Sequence, residues 1–333
     1  MAEFTIRYLS GDDIAELALS DAEILDAIEV SLRAQGNQET VVEPRMHLRP
    51  DPSFHGHFNV LRGYIAPLGV AGVKVVGDFE YNYKHGFPSE FGMLNLMDAR
   101  TGRPVAIMDA SGITDMRTGA VTAIGAKYLA PSKPRVLGHI GARGTAYWNV
   151  RLLDHLFDFE EIRVHSRRPE SREAFGERLS QDLGKNVIVT EDWQSCLQDA
   201  DIMVEASRLH EPAPLFKTSW IKPGALVVPY GTMSTVEDDI TDIMNKVIVD
   251  DWGQCLIGPF GCLRRHVDSG KVSQDSIHGE LGQICAGHIS GRENDDETIL
   301  LWHRGLSTSD IALGHAMLEK ADALNIGHTL PYR

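Results

Sequence analysis

The sequence predicts an α/β protein in which a parallel, helix-covered sheet is inserted between two parts of a second, α+β domain. Three observations predict it. After Pro134, short apolar runs without polar alternation recur between amphipathic stretches, as strands covered by helices on both faces require. Before them, from Met46 to Asp109, the chain is rich in short β-type runs, and after them it closes on one more amphipathic helix.

In chain order, Ser20-Asp-Ala-Glu23 forms a capping box, its hydroxyl and carboxylate satisfying free amides ahead of Ile24, Leu25, Ile28 and Leu32 on one helical face. The spacing predicts a helix over 21–34, ended by Gly36. Residues 70–76, 93–97 and 105–108 read as strands, with 98–104 a hairpin loop. Thr114 offers an N-cap, and Met116, Ala120, Ala123, Ile124 and Tyr128 keep a helical period that Pro131 closes. The parallel strands are expected at 136–140, 162–165, 187–189, 202–205, 226–228 and 247–249. Thr308, Ile311, Leu313, Met317, Leu318 and Leu324 mark the last helix.

A chain of 333 residues is long enough for two domains with cores of their own. Its net charge of −15 opposes a nucleic-acid backbone or an anionic lipid surface. No apolar stretch approaches the ~20 residues that span a bilayer, and MAEFTIRY lacks the basic-then-apolar order of a secretory signal. The expectation is a soluble, cytoplasmic protein with neither nucleic acid nor membrane as partner. Cys196, Cys255, Cys262 and Cys285 form no CxxC pair and read as reduced packing residues. No metal site is expected: His55 and His57 would face one side of a strand, without a third ligand.

The strand 136–140 ends in Gly141-Ala-Arg143-Gly144-Thr145-Ala146, followed by Tyr147, Val150, Leu153 and Leu156 at helical spacing. A strand, a tight turn and a helix N-terminus present free amides and a positive dipole end to a pyrophosphate. Arg143 stands where the second glycine of GxGxxG belongs, and the alternative is an ordinary glycine turn. At the end of the second strand, where an acidic residue would meet ribose hydroxyls, the chain has Ser166-Arg167-Arg168. A hydroxyl and two guanidiniums complement a 2′-phosphate, which favours NADP(H) over NAD(H). A solvated arginine pair before Pro169 is the alternative.

Lys74 lies inside the apolar run Val70-Ala-Gly-Val-Lys-Val-Val76. A buried lysine loses hydration and its pKa falls unless an anion sits against it, which suits an anion ligand or a proton donor. The alternative is a strand-edge lysine whose amine reaches water. Arg117-Thr118 can offer guanidinium, hydroxyl and helix terminus to a carboxylate or phosphate, or can be an exposed first-turn pair.

Glu43-Pro-Arg45-Met, Gly72-Val-Lys74, Asp98 to Pro104, Met116-Arg117-Thr118-Gly119, Lys127-Tyr-Leu-Ala130 and the glycine turn resemble, in order, the ornithine cyclodeaminase/mu-crystallin family. The resemblance implies a homodimer with a substrate-binding and dimerisation domain over 1–125 plus 306–333, and a Rossmann dinucleotide-binding domain over 126–305. By position, Arg45, Lys74 and Arg117 would hold the carboxylate of an amino or imino acid, with Lys74 near the reacting carbon. Thr118, Gly141, Arg143, Gly144, Thr145, Ser166, Arg167 and Arg168 would hold the dinucleotide phosphates and ribose. Ala206, Ser207, Gly231, His303, Arg304 and Gly305 would lie along the cofactor toward its nicotinamide.

Cyclodeaminases of the family carry an aspartate just after the strand that ends at Gly231, whereas this chain reads Gly231-Thr232-Met233-Ser234. The reading that follows is an NADP(H)-dependent oxidoreductase interconverting an L-amino acid and its imino or keto acid. Asp78, Glu80, Glu90 and Asp115 suit a basic side chain, and the pattern is similar to the family's bacterial arginine dehydrogenases, which makes Asp115 and Glu80 substrate-binding candidates. They are equally explained as loop and cap residues of an acidic protein. The alternatives are a cyclodeaminase-type lyase acting on ornithine or lysine, and a mu-crystallin-like protein binding NADPH and a small ligand.

Overall fold

The computed structural model describes residues 4–207, 209, 211–231, 233–256 and 263–332. The chain begins with β1 (Thr5–Leu9), α1 (Gly11–Glu16), α2 (Asp21–Gly36), β2 (Thr40–Val42), β3 (Met46–Leu48), β4 (Gly56–Ile65), β5 (Val70–Phe79), β6 (Glu90–Asp98), β7 (Pro104–Asp109) and α3 (Ser111–Leu129). It continues through β8 (Val136–Ile140), α4 (Ala146–Phe157), β9 (Glu161–His165), α5 (Pro169–Leu183), β10 (Val187–Val189), α6 (Trp193–Leu197), β11 (Ile202–Glu205), β12 (Leu226–Pro229) and β13 (Lys246–Val249). Last come α7 (Trp252–Cys255), α8 (Arg264–Asp268), β14 (Gly279–Glu280), α9 (Leu281–Cys285), β15 (Ile299–Trp302), α10 (Ser307–Leu324) and β16 (His328–Pro331).

Two compact units result, Met1–Arg117 with Leu306–Arg333, and Thr118–Gly305. The division falls at 117/118, where the sequence placed it at 125/126. Because α3 runs unbroken through this point, no linker residues mark it.

In the first unit the strands run in the order β16-β1-β7-β6-β5-β4-β2, and β3 also pairs with β4. The pairing is antiparallel except between β1 and β7. Helix α10 lies across β4, β5 and β6 and against α2. Its close approach needs glycine beneath it: Gly63 and Gly72 face each other in β4 and β5, and a Cβ on Gly72 would stand 2.7 Å from Cγ1 of Ile311. The capping box of α2 is formed in both directions, Ser20 N–H donating to Glu23 Oε2 at 2.7 Å, and Ile24, Leu25, Ile28 and Leu32 are buried.

Two local expectations are corrected. Helix α3 begins at Ser111, before Thr114, because the Thr114 N–H already donates to the Ala110 carbonyl; Thr114 is a first-turn residue and not the cap. His55 caps a short 3₁₀ turn in the left-handed region, φ 49°, so it does not share a strand face with His57 in β4.

The second unit is a Rossmann-type, doubly wound sheet of parallel strands in the order β10-β9-β8-β11-β12-β15-β13-β14. All six strands expected here form. Strand β15 was not anticipated, because its four apolar residues are followed by no helical signal of their own unit, yet it sits between β12 and β13. The strand order reverses between β8 and β11, the switch point at which such sheets open a crevice at their carboxyl ends. Cys196, Cys255 and Cys285 are buried and form no disulfide among the described residues, and Cys262 lies outside them. No helix among the described residues is long and apolar enough to cross a membrane.

Candidate functional site

In the first unit Lys74 lies in the middle of β5, between Leu61 of β4 and Leu94 of β6, and only 2% of it is exposed. Its Nζ donates to Asp310 Oδ1 at 2.6 Å and to Thr114 Oγ1 at 2.9 Å. Arg117 Nε donates to the same Asp310 oxygen at 2.9 Å. The anion that a buried lysine calls for is therefore a carboxylate of α10, itself fully buried.

The balance of charges is legible in each group. Burial lowers the Lys74 pKa to about 8, Asp310 pulls it up, and Arg117 and Arg45 push it down. Burial raises Asp310, but Lys74 and Arg117 more than offset this and hold it below the usual carboxylate range. Two cations on one carboxylate leave one positive charge, and the cluster's hydrogen bonding is unfinished. Arg117 Nη1 and Asp310 Oδ2 are both buried without a hydrogen-bond partner. Buried polar atoms are rarely left so.

Around this core the structure places Arg45 half-buried just before β3, within electrostatic reach of Lys74. Asp115 is raised to about 6 by burial and by the charge of Glu90, and feels both Arg117 and Lys74. Glu80 is not brought in: it is exposed beyond the end of β5, its backbone N–H on the His55 carbonyl.

In the second unit the glycine turn follows β8 at the switch point. Gly141 adopts φ +112° and Gly144 φ +54°, and the Gly141 N–H donates to the His165 carbonyl at 2.8 Å. A Cβ on Gly141 would come within 3.1 Å of the Ala206 carbonyl oxygen at the end of β11, so glycine lets the turn and that strand end meet. Beneath the turn, His139 faces the Gly141 carbonyl across 3.2 Å; burial lowers its pKa to about 4 and keeps it neutral. Thr145 caps α4 without a side-chain hydrogen bond to the helix amides. Its hydroxyl is engaged instead by the hydroxyl of Tyr230. Arg143 is exposed and makes no side-chain hydrogen bond or ion pair among the described residues. Uncapped amides behind two left-handed glycines fit a dinucleotide pyrophosphate.

Ser166, Arg167 and Arg168 follow β9, with Arg168 as the N-cap of α5 and Pro169 as its first residue. Both guanidiniums are exposed and unpaired among the described residues. Ala206 and Ser207 follow β11. The Ser207 backbone N–H and hydroxyl both donate to Oε1 of Glu205, which burial raises to about 7. Gly231, at φ +74°, donates to the His303 carbonyl. The Arg304 and Gly305 amides each donate to Asp250 Oδ2 at 2.8 Å. The His303 ring is fully buried, 2.9 Å from Thr122 Oγ1 and stacked on Tyr230 at 4.9 Å. Thr118 is buried in α3, where its carbonyl accepts from Thr122. Thr232 lies outside the described residues. No group of three or more His, Cys, Asp or Glu among the described residues could hold a metal.

Sequence reasoning missed Asp310, Glu205, Asp250 and Tyr230. The first had a visible signal: Asp310 is in register with Gly314, Met317 and Ala321 on the buried face of α10, where a carboxylate is anomalous. Glu205 and Asp250 end or follow apolar strands, and nothing in their neighbours reveals that one carboxylate holds the next loop and the other the loop after β15.

A glycine-turned parallel sheet and, separately, a buried cation cluster with an unfinished guanidinium define a protein of the Rossmann type. The profile of the ornithine cyclodeaminase/mu-crystallin family matches residues 7–325, and the chain belongs to that family. It is 30% identical over 333 residues to the N-((2S)-2-amino-2-carboxyethyl)-L-glutamate dehydrogenase of Staphylococcus aureus, covering 97% of each chain. Among solved structures it is similar to the Δ1-pyrroline-2-carboxylate reductase of Thermococcus litoralis in complex with NADH and L-proline, at 27% identity and TM-score 0.89, covering 97% of this chain and 99% of that one. An archaeal alanine dehydrogenase dimer with bound NAD matches at 26% identity and TM-score 0.89, covering 99% of this chain and all of the other, 100%.

Proposed function

We propose that this protein is an NADP(H)-dependent oxidoreductase that interconverts an L-amino acid and its imino or keto acid. The observation that carries the reading is the buried, unpartnered Arg117 Nη1 beside Lys74 in a cluster of net positive charge. A buried guanidinium N–H without an acceptor can take a carboxylate oxygen. Arg45 adds a second positive charge to that grip, and Lys74 protonates or polarises the substrate nitrogen. The nicotinamide dinucleotide supplies or accepts the hydride at the α-carbon. In the second unit the Gly141–Thr145 turn holds the pyrophosphate, while the Ser207, Gly231 and His303–Gly305 loops line the remainder.

The relatives compared above act on amino or imino acids, and the two structures hold NAD or NADH. The preference for NADP(H) rests on this chain's own Ser166-Arg167-Arg168, which offers two unpaired guanidiniums where a 2′-phosphate would lie. Asp115 with Glu90 favours a basic side chain, arginine first.

A homodimer is supported by an apolar face in the first unit. The cross-strand rows Met46–Val60–Val75–Met93 and Leu48–Phe58–Gly77–Phe91 lie on the sheet face opposite Lys74, with Met46, Leu48, Phe91 and Met93 about half exposed or more. Three buried cysteines outside any disulfide suit a reducing cytoplasm.

The test is a screen of the proteinogenic amino acids and ornithine with NADP⁺ and NAD⁺ at alkaline pH, read as reduced nicotinamide formed. Stoichiometric NADPH with one amino acid supports the reading. Ammonia release without net cofactor reduction would replace it with a lyase.

A further inference from the structure

The cluster around Lys74 has two unfinished hydrogen bonds of opposite sign. Arg117 Nη1 is a donor without an acceptor, and Asp310 Oδ2 is an acceptor without a donor. Their side chains meet at a single atom, Asp310 Oδ1, which accepts from Arg117 Nε at 2.9 Å and Lys74 Nζ at 2.6 Å. The two free atoms thus belong to one guanidinium and one carboxylate that are already joined through Oδ1. A plain carboxylate ligand would satisfy only the donor. An α-amino acid or its protonated imine carries an acceptor and an N–H donor one carbon apart, and satisfies both.

We propose that Asp310 binds the substrate's nitrogen: Oδ2 accepts an N–H from the α-ammonium or iminium group while Oδ1 stays on Lys74 and Arg117. The inference rests on the amino-acid reading above and deepens it, because it predicts that the site selects nitrogen compounds over hydroxy acids of the same shape. A site built to take an N–H penalises a ligand that leaves its buried acceptor empty. The neighbouring charges agree. Arg45 and Arg117 would serve the anionic end, and Lys74 is itself a donor. Asp310, held ionised by Lys74 and Arg117, is the carboxylate bonded to both.

Equilibrium binding to the holoenzyme tests it without requiring turnover. The best amino acid of the screen is compared with its des-amino carboxylate and its 2-hydroxy analogue by calorimetry with dinucleotide present. The unmodified protein should bind the amino acid roughly tenfold or more tighter than either analogue. Asp310→Asn should lose that preference, so that its affinities for the amino acid and the two analogues converge. If Asp310→Asn does not fold, the ligand series on the unmodified protein still decides, since equal affinities for all three overturn the proposal. A folded Asp310→Asn that keeps the preference also overturns it. If no amino acid is oxidised but binding still depends on the nitrogen, the assigned reaction fails and this inference stands.

Discussion

The two units bring their functional residues together by opposite means. In the second, the Gly141–Thr145 turn and Ser166–Arg168 are contiguous segments at the ends of adjacent strands, and each keeps its exposed groups unpaired. In the first, Lys74 and Asp310 are 236 positions apart, and α10 completes the cluster from the far end of the chain. A surface motif can wait for its ligand because water satisfies it meanwhile. Buried charges cannot, so Lys74 and Arg117 carry a resident counter-ion that sets their positions before any substrate arrives.

That contrast can be broken from either side. The largest effect is expected from Lys74→Ala, which should cut kcat/KM roughly 100- to 10,000-fold and leave dinucleotide affinity unchanged in a fluorescence titration. A fall in dinucleotide binding of similar size would show that the two functions are not separable. Next, replacing Arg167 and Arg168 together by alanine should raise KM for NADP⁺ about tenfold or more, with NAD⁺ kinetics little altered. Equal losses with both coenzymes would remove the 2′-phosphate assignment. The smallest effect concerns the platform. Gly72→Ala pushes a methyl against Ile311 and should cost about 1–3 kcal/mol, seen as a lower urea midpoint.

The same contrast explains what could be read from the sequence. Capping at Ser20, the six apolar strands and the glycine turn are local, so period and turn chemistry reveal them. Lys74 and Arg117 stood out as charges in apolar or helix-start positions. Their partner Asp310 showed only through its register with Gly314, Met317 and Ala321, since a carboxylate in a first helical turn otherwise looks ordinary. Thr114 was misplaced for a related reason: a hydroxyl at a helix start reads as a cap, whereas here it accepts from Lys74 one turn inside. Glu205 acts on a backbone amide of the following loop and Asp250 on those of Arg304 and Gly305 beyond β15, interactions that leave no side-chain pattern.

The central claim is that Arg117 grips the substrate's α-carboxylate. The most direct measurement compares kcat/KM for the best amino acid with that for its α-carboxamide, in the unmodified protein and in Arg117→Ala. The account predicts a discrimination of roughly 100-fold or more that largely collapses in the variant. An Arg117→Ala protein that still rejects the amide as strongly would contradict it.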